Sequence, residues 1–166
     1  IVVLALICVV VTGALAVTNE VTAPIIQAAT AAAENAARFK VLPDADDFTA
    51  VDGVSVENVA SVYTANNGAG AVVTASARGY GGDVTVMVGF HADGTIQAIT
   101  VTNHEETQGI GSNVVDSAEY LAQYAGLPAQ PLTLGVDVDA YTGATRSSNA
   151  VIEAVNAAIA AYNQIP

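Results

Sequence analysis

The order of apolar and polar positions along the chain changes character several times, and each change predicts an element. Residues 1–17, IVVLALICVVVTGALAV, form an unbroken apolar run without a charge, closed by Thr18-Asn19-Glu20. A bilayer core is crossed by roughly 20 apolar residues, with about 17 as the lower limit, so the run predicts one transmembrane helix. The competing reading, a secretory signal peptide, has an apolar region of only about 7–15 residues. Pro24 marks the membrane exit. Ile25–Phe39 is Ala-rich, with Glu34 and Arg38 one helical turn apart, and predicts a helix that continues or kinks away from the span. Lys40-Val41-Leu42-Pro43-Asp44 ends it, because the residue before a proline avoids helical angles.

From Val51 to Thr102 the period shortens. VASVYTA, AVVTASA and DVTVMVGF are β-rich runs separated by Asn66-Asn67-Gly68 and Gly79-Tyr80-Gly81-Gly82. In DVTVMVGF, Val84, Val86, Val88 and Phe90 alternate with Thr85, Met87 and Gly89, the period of a half-buried strand. Ala92-Asp93-Gly94 predicts a tight hairpin, with TIQAITVT returning antiparallel. Asn103–Gly111 reads as a polar loop. SNVVDSAEYLAQYA, residues 112–125, reads as one helix, with Ser112 as N-cap and Gly126 as stop. LTLGVDV reads as a last strand, and Ser148, Val151, Ile152, Val155, Ile159 and Tyr162 keep helical spacing to the C-terminus. The fold class predicted is α+β: a transmembrane helix (1–23), a helical connector (24–48) and a domain (49–166) with a mainly antiparallel sheet flanked by helices.

Composition narrows the function. The chain has 166 residues, of which 16 are acidic and 4 basic, for a net charge of −12. That field repels nucleic acid and anionic headgroups, so no nucleic-acid partner is expected. The single cysteine, Cys8, lies in the first apolar run, which excludes an internal disulfide and Cys-ligated zinc or iron–sulfur sites for these residues. The chain does not begin with Met, and further residues are expected before Ile1.

Two stretches carry candidate chemistry. In Asp139-Ala140-Tyr141-Thr142-Gly143-Ala144-Thr145-Arg146-Ser147-Ser148, a hydroxyl-rich turn enters a helix. Unpaired N–H groups and a partial positive charge at such an entrance suit a phosphate; Gly143 would allow close backbone approach, and Arg146 is one of four cations. The plainer reading makes Ser147 or Ser148 an N-cap and Gly143 a turn residue. The second stretch is His104-Glu105-Glu106-Thr107-Gln108-Gly109-Ile110-Gly111. Its His and Glu residues lack the three converging ligands of a metal site, and its glycines lack the βαβ context of a dinucleotide loop. No metal and no catalytic residue is assigned.

Together the two stretches resemble the FMN-binding subunits of the RnfG/NqrC family, which carry an HxETxGxG loop after a hairpin strand and a Dxx(S/T)GA(T/S)xxS motif near the C-terminus. VLPDADDF, GYGGDVTVMVGF and the N-terminal span echo the family in the same order, so the resemblance covers essentially the whole chain. Gln108 stands where the family usually has proline. The resemblance implies FMN joined through a phosphoester to Thr145, with Thr142, Gly143, Ala144, Ser147 and Ser148 forming the attachment turn and Asp139 opening the flavinylation motif. It implies that Glu106, Thr107, Gln108, Gly109, Ile110 and Gly111 line the flavin, with Thr107 and backbone N–H groups at its polar edge and Ile110 against its face. It implies a flavin transferase that uses FAD as donor outside the cytoplasmic membrane. The soluble domain would then lie on the extracytoplasmic side of the cell membrane, among the other membrane subunits of the complex.

With no sizeable insertion, the chain is most similar to the G subunit of the Rnf ion-translocating ferredoxin:NAD+ oxidoreductase. The implied role is electron carriage without substrate turnover of its own. The alternatives are a membrane-anchored FMN protein of another respiratory or extracellular electron-transfer system, such as the C subunit of Na+-translocating NADH:quinone reductase, and a pilin-like structural subunit. Against the pilin, residues 1–17 contain no glutamate.

Overall fold

The computed structural model describes residues 2–165, and of Ala5 the backbone alone; Ile1 of the expected span and Pro166 of the expected domain lie outside the described residues. It divides into two compact units, Ile1–Ala36 and Ala37–Pro166.

The first unit is most of one helix, α1 (Val2–Val41), which runs 40 residues with Pro24 inside it. The apolar span and the Ala-rich connector are thus one continuous helix. Pro24 offers no N–H to the turn before it, yet the helix runs on through it, and Thr18 and Thr22 return their hydroxyls to the carbonyls of Ala14 and Thr18 at 2.9 and 2.7 Å. Its large side chains from Val2 to Ile26 are exposed. Its length and composition suffice to cross a membrane.

The second unit is built on a five-stranded antiparallel meander in the order β1 (Phe48–Ala50), β2 (Val59–Ala65), β3 (Gly70–Arg78), β4 (Asp83–His91) and β5 (Ile96–His104). Short glycine-bearing turns join β2 to β3, β3 to β4 and β4 to β5, as expected of hairpins; at Asp93-Gly94, Oδ1 of Asp93 accepts from both the N–H and the hydroxyl of Thr95. After the sheet come α2 (Ser112–Val115), α3 (Ala118–Ala122) and α4 (Thr145–Tyr162). α4 packs across β2, β3 and β4. Its buried Val151, Ile152, Val155 and Ile159 meet Val73, Val84, Val86, Val88 and Phe90 in the main core. The far end is fixed by Tyr162, whose ring stacks on Phe90 at 4.5 Å and whose hydroxyl donates to the His91 carbonyl at 3.0 Å.

The alternating pattern of β4 understates its burial. Met87 and Gly89 are buried as well, because Val41 and Leu42, where α1 ends, form a second apolar cluster with Ala65, Val72 and Met87 on the opposite face. A Cβ on Gly89 would run into the carbonyl of Val41. The glycine therefore reports a close backbone approach, which periodicity does not reveal.

Three further expectations need correction. Residues 112–125 are not one helix: the chain breaks at Asp116-Ser117, and Ser117, in extended conformation, restarts it by accepting the N–H of Tyr120 at 3.2 Å. Ser112 is not the N-cap of α2; that position is Gly111. LTLGVDV is not a strand. Gly135 adopts φ +81°, Asp137 accepts the N–H of Thr133, and Gly135 donates to the Val138 carbonyl, so the segment folds back on itself. Leu132, its first residue, is held at both backbone groups by the Asn156 side chain of α4, at 2.8 and 2.9 Å.

Candidate functional site

The Thr142–Ser148 turn is shaped by its backbone. Gly143 has φ +85°, which a side chain would oppose, and nothing lies within 4 Å of the place a Cβ would occupy. The glycine is needed there for its conformation. The N–H of Ala144 bonds to the Tyr141 carbonyl at 3.0 Å, and α4 begins at Thr145.

Neither serine caps this helix. The N-cap position is Ala144, with no side-chain cap. Ser148 is buried; its hydroxyl donates to the Ala144 carbonyl at 3.2 Å and accepts the N–H of Tyr141 at 3.1 Å. Ser147 is also buried, and its hydroxyl donates to Oε2 of Glu106 at 2.7 Å. The entrance of an 18-residue helix is thus left without a side-chain acceptor, while Thr145 in its first position is exposed. Among the described residues no hydrogen bond engages the Thr145 hydroxyl.

Glu106 joins three segments distant in sequence. It is 7% exposed, whereas Glu105 beside it is exposed. Its Oε2 takes the Ser147 hydroxyl and its Oε1 takes the N–H of Tyr80 at 2.8 Å. Its own N–H donates to Nδ1 of His104 at 3.2 Å, and Nε2 of that histidine lies 3.4 Å from Asp116 Oδ1. Cβ atoms at Gly79 and Gly111 would collide with the carboxylate oxygens, so both glycines are there to admit it. Arg146 completes the link by donating Nε to the Gly79 carbonyl at 3.4 Å. Glu106 therefore uses both oxygens to tie the Tyr80 turn to the first turn of α4.

The structure brings Glu106, Gly111 and Ser147 together at the start of α4. Thr107, Gln108, Gly109 and Ile110 form an exposed loop, closed by the N–H of Gly109 on the Ser112 hydroxyl at 2.9 Å and by Asn113 Nδ2 on the Gly109 carbonyl at 2.9 Å. Asp139 and Thr142 turn instead toward an open groove of about 640 Å³, shared with Ser117, Glu119, Tyr120, Gln123, Ala140 and Tyr141. The Asp139 N–H is held there by Gln123 Oε1 at 2.9 Å. Sequence reasoning takes Gly79-Tyr80-Gly81-Gly82 as a turn and as part of a family echo, and misses its contact with Glu106. Three glycines around one aromatic residue are the available signal. Among the described residues there is no group of three His, Cys, Asp or Glu side chains suited to a metal.

These features fit an FMN phosphate ester on Thr145. The Thr145 hydroxyl is accessible, the uncapped first-turn N–H groups and the helix dipole favour an anion there, and Arg146 is adjacent. The comparisons with known proteins agree on the class. Residues 79–160 match the FMN-binding domain family. The chain is 34% identical to the G subunit of the Na+-translocating ferredoxin:NAD+ oxidoreductase complex of Acetobacterium woodii, over 92% of this chain and 84% of that protein. It is 33% identical to the G subunit of the ion-translocating oxidoreductase complex of Methanosarcina acetivorans, over 72% and 70%. The crystal structure of Shewanella oneidensis NqrC shares the fold, with a TM-score of 0.52 and 22% identity over 76% of this chain and 72% of that one. Fold and turn define an FMN-binding domain carried behind an apolar helix. Within that class, the chain belongs to the family of G subunits of ion-translocating oxidoreductase complexes, RnfG.

Proposed function

We propose that this protein is the electron-carrying G subunit of a membrane-bound, ion-translocating ferredoxin:NAD+ oxidoreductase, with FMN esterified to Thr145. The observation that carries the reading is the exposed Thr145 hydroxyl at the uncapped N-terminus of α4, inside Asp139-Ala140-Tyr141-Thr142-Gly143-Ala144-Thr145. In the attachment step the Thr145 oxygen bonds to the FMN phosphorus of FAD, AMP departs from that phosphorus, and the hydroxyl proton goes with the leaving group. A flavin transferase performs this step, and Asp139 and Thr142, beside the groove along α3, belong to the surface it reads.

Bound FMN supplies one- and two-electron chemistry between donors and acceptors in neighbouring subunits. The chain's own residues hold and orient it. First-turn N–H groups of α4 and Arg146 stabilise the phosphodiester charge, and Glu106 fixes that turn against the sheet. A covalent link keeps the cofactor at a permanently high local concentration, which matters on the extracytoplasmic side, where a lost flavin is not recovered. α1 anchors the domain among the membrane subunits, and the subunit has no substrate turnover of its own.

Intact-mass analysis of the protein purified from its own membranes, together with identification of what co-purifies, tests this. The expected result is a mass increase of one FMN less one water and a set of multi-spanning subunits. A protein of unmodified mass, or one that purifies without membrane partners, contradicts it.

A further inference from the structure

His104 makes two contacts that together decide where its proton sits. Its Nδ1 accepts the N–H of Glu106 at 3.2 Å, and its Nε2 lies 3.4 Å from Oδ1 of Asp116. A ring nitrogen that accepts a hydrogen bond carries no proton, so the neutral imidazole keeps its one hydrogen on Nε2, toward Asp116. His104 ends β5 and Asp116 follows α2, so the ring pins both ends of the excursion between them. Glu106 sits within that excursion, and its carboxylate in turn holds the Tyr80 N–H and the Ser147 hydroxyl. The other charged groups on the surrounding elements have places of their own. Glu105 packs against Gly82, Asp83 of β4 pairs with Arg78 at 3.1 Å, Glu119 of α3 lines the open groove, and Arg146 of α4 reaches the Gly79 carbonyl.

We propose that His104 is a positioning residue operated by a proton: neutral, it holds the Glu106 segment in place, and protonated, it lets that segment go. A second hydrogen, taken from solvent onto Nδ1, faces the Glu106 N–H donor to donor, so that bond is lost. The attraction gained at Asp116 does not replace it, because the Asp116 side chain is 66% exposed and an exposed ion pair contributes little. Glu106 itself is buried, so its freed N–H must find water by moving. Histidine is the side chain whose charge ordinarily changes between about pH 5 and 8, and the chain has only one other, His91. The catch stands on its own contacts. Its consequence, a Ser147 turn that loosens in acid beneath the attached flavin, rests on the reading of Thr145 as the attachment residue.

The test compares wild type, His91→Gln, His104→Asn and His104→Ala as full chains in detergent, followed by NMR from about pH 8 down to about pH 5.5. An asparagine oxygen can stand where Nδ1 stands and cannot gain a proton; alanine supplies no acceptor. Protection of the Glu106 N–H against hydrogen exchange, corrected for the intrinsic effect of pH, should fall several-fold in wild type and His91→Gln as the His104 ring titrates. It should stay high throughout in His104→Asn and low throughout in His104→Ala. In flavinylated samples the fluorescence anisotropy of the flavin should fall over the same range in wild type and hold steady in His104→Asn. Unchanged Glu106 protection while the His104 ring titrates would overturn the proposal, as would a ring that stays neutral throughout, or a His104→Asn profile that follows wild type. Steady anisotropy in wild type while Glu106 is released would overturn the consequence for the flavin. A wild-type protein without covalent flavin would defeat the reading of Thr145 and leave the catch standing on the NMR result.

Discussion

Ser147 in the first turn of α4 donates its hydroxyl to Glu106 Oε2 at 2.7 Å, across 41 positions of sequence and with both side chains buried. This bond ties the loop after β5 to the helix that begins at Thr145. Ser147→Ala removes the donor and leaves a buried carboxylate oxygen unpaired, which typically costs about 1–3 kcal/mol. Urea unfolding should show a lower midpoint with unchanged slope, while covalent flavin on the denatured band persists. Glu106→Gln, which keeps the shape and both hydrogen-bonding positions, should be milder. Equal stability of Ser147→Ala and wild type would show that the clamp contributes nothing.

Gly89→Ala should destabilise the unit from Ala37 onward although alanine is small and apolar. The added carbon meets the Val41 carbonyl, a backbone atom that cannot swing aside. Overpacking of this kind typically costs about 1–3 kcal/mol. Thermal unfolding of the full chain in detergent measures it, and an unchanged transition would mean that the end of α1 yields freely.

Alkaline stability should depend on Tyr124. Burial, with Tyr120 close by, pushes its phenol well above the ordinary value of 10.0. A raised value in the folded state means the contribution is complete below about pH 10 and declines as pH rises further, because the unfolded chain ionises there first. Tyr124→Phe should flatten the loss of stability above pH 10 while leaving neutral behaviour nearly unaltered. An alkaline limb identical to wild type would show that other groups govern it.

Strands β2 to β5 and their hairpins are legible in the sequence because alternation and turn residues are local signals, whereas the three-residue β1 (Phe48–Ala50) is too short to show a period and goes unread. Alternation alone assigns Met87 and Gly89 to an open face of β4, since their cover arrives from Val41 and Leu42, far away in sequence. LTLGVDV has strand-like composition, but Asn156 and the bend at Gly135 take up backbone groups there. The motif at Thr142–Thr145 is visible as a motif. That Ser147 serves Glu106 and not the helix end is not visible, because a hydroxyl at a helix entrance has the same sequence signature in either role.

The unit from Ala37 onward should be accessible from outside the cell. Protease added to intact, right-side-out cells should remove it and leave a membrane-embedded fragment of α1. Protection in intact cells, with digestion only after lysis, would reverse the topology and place the transferase on the wrong side.

Attachment at Thr145 is tested most sharply by covalent flavin on Thr145→Ala, read as ultraviolet-excited fluorescence of the denatured band from a transferase-containing host. Thr145 is exposed and engaged by no hydrogen bond among the described residues, so its truncation should alter stability by no more than about 0.5 kcal/mol. The expected outcome is a folded protein with a dark band, next to a bright wild type and bright Ser147→Ala and Ser148→Ala. A bright Thr145→Ala band would rule out Thr145 as the acceptor, and a dark band in Ser147→Ala or Ser148→Ala alone would move the acceptor to that serine.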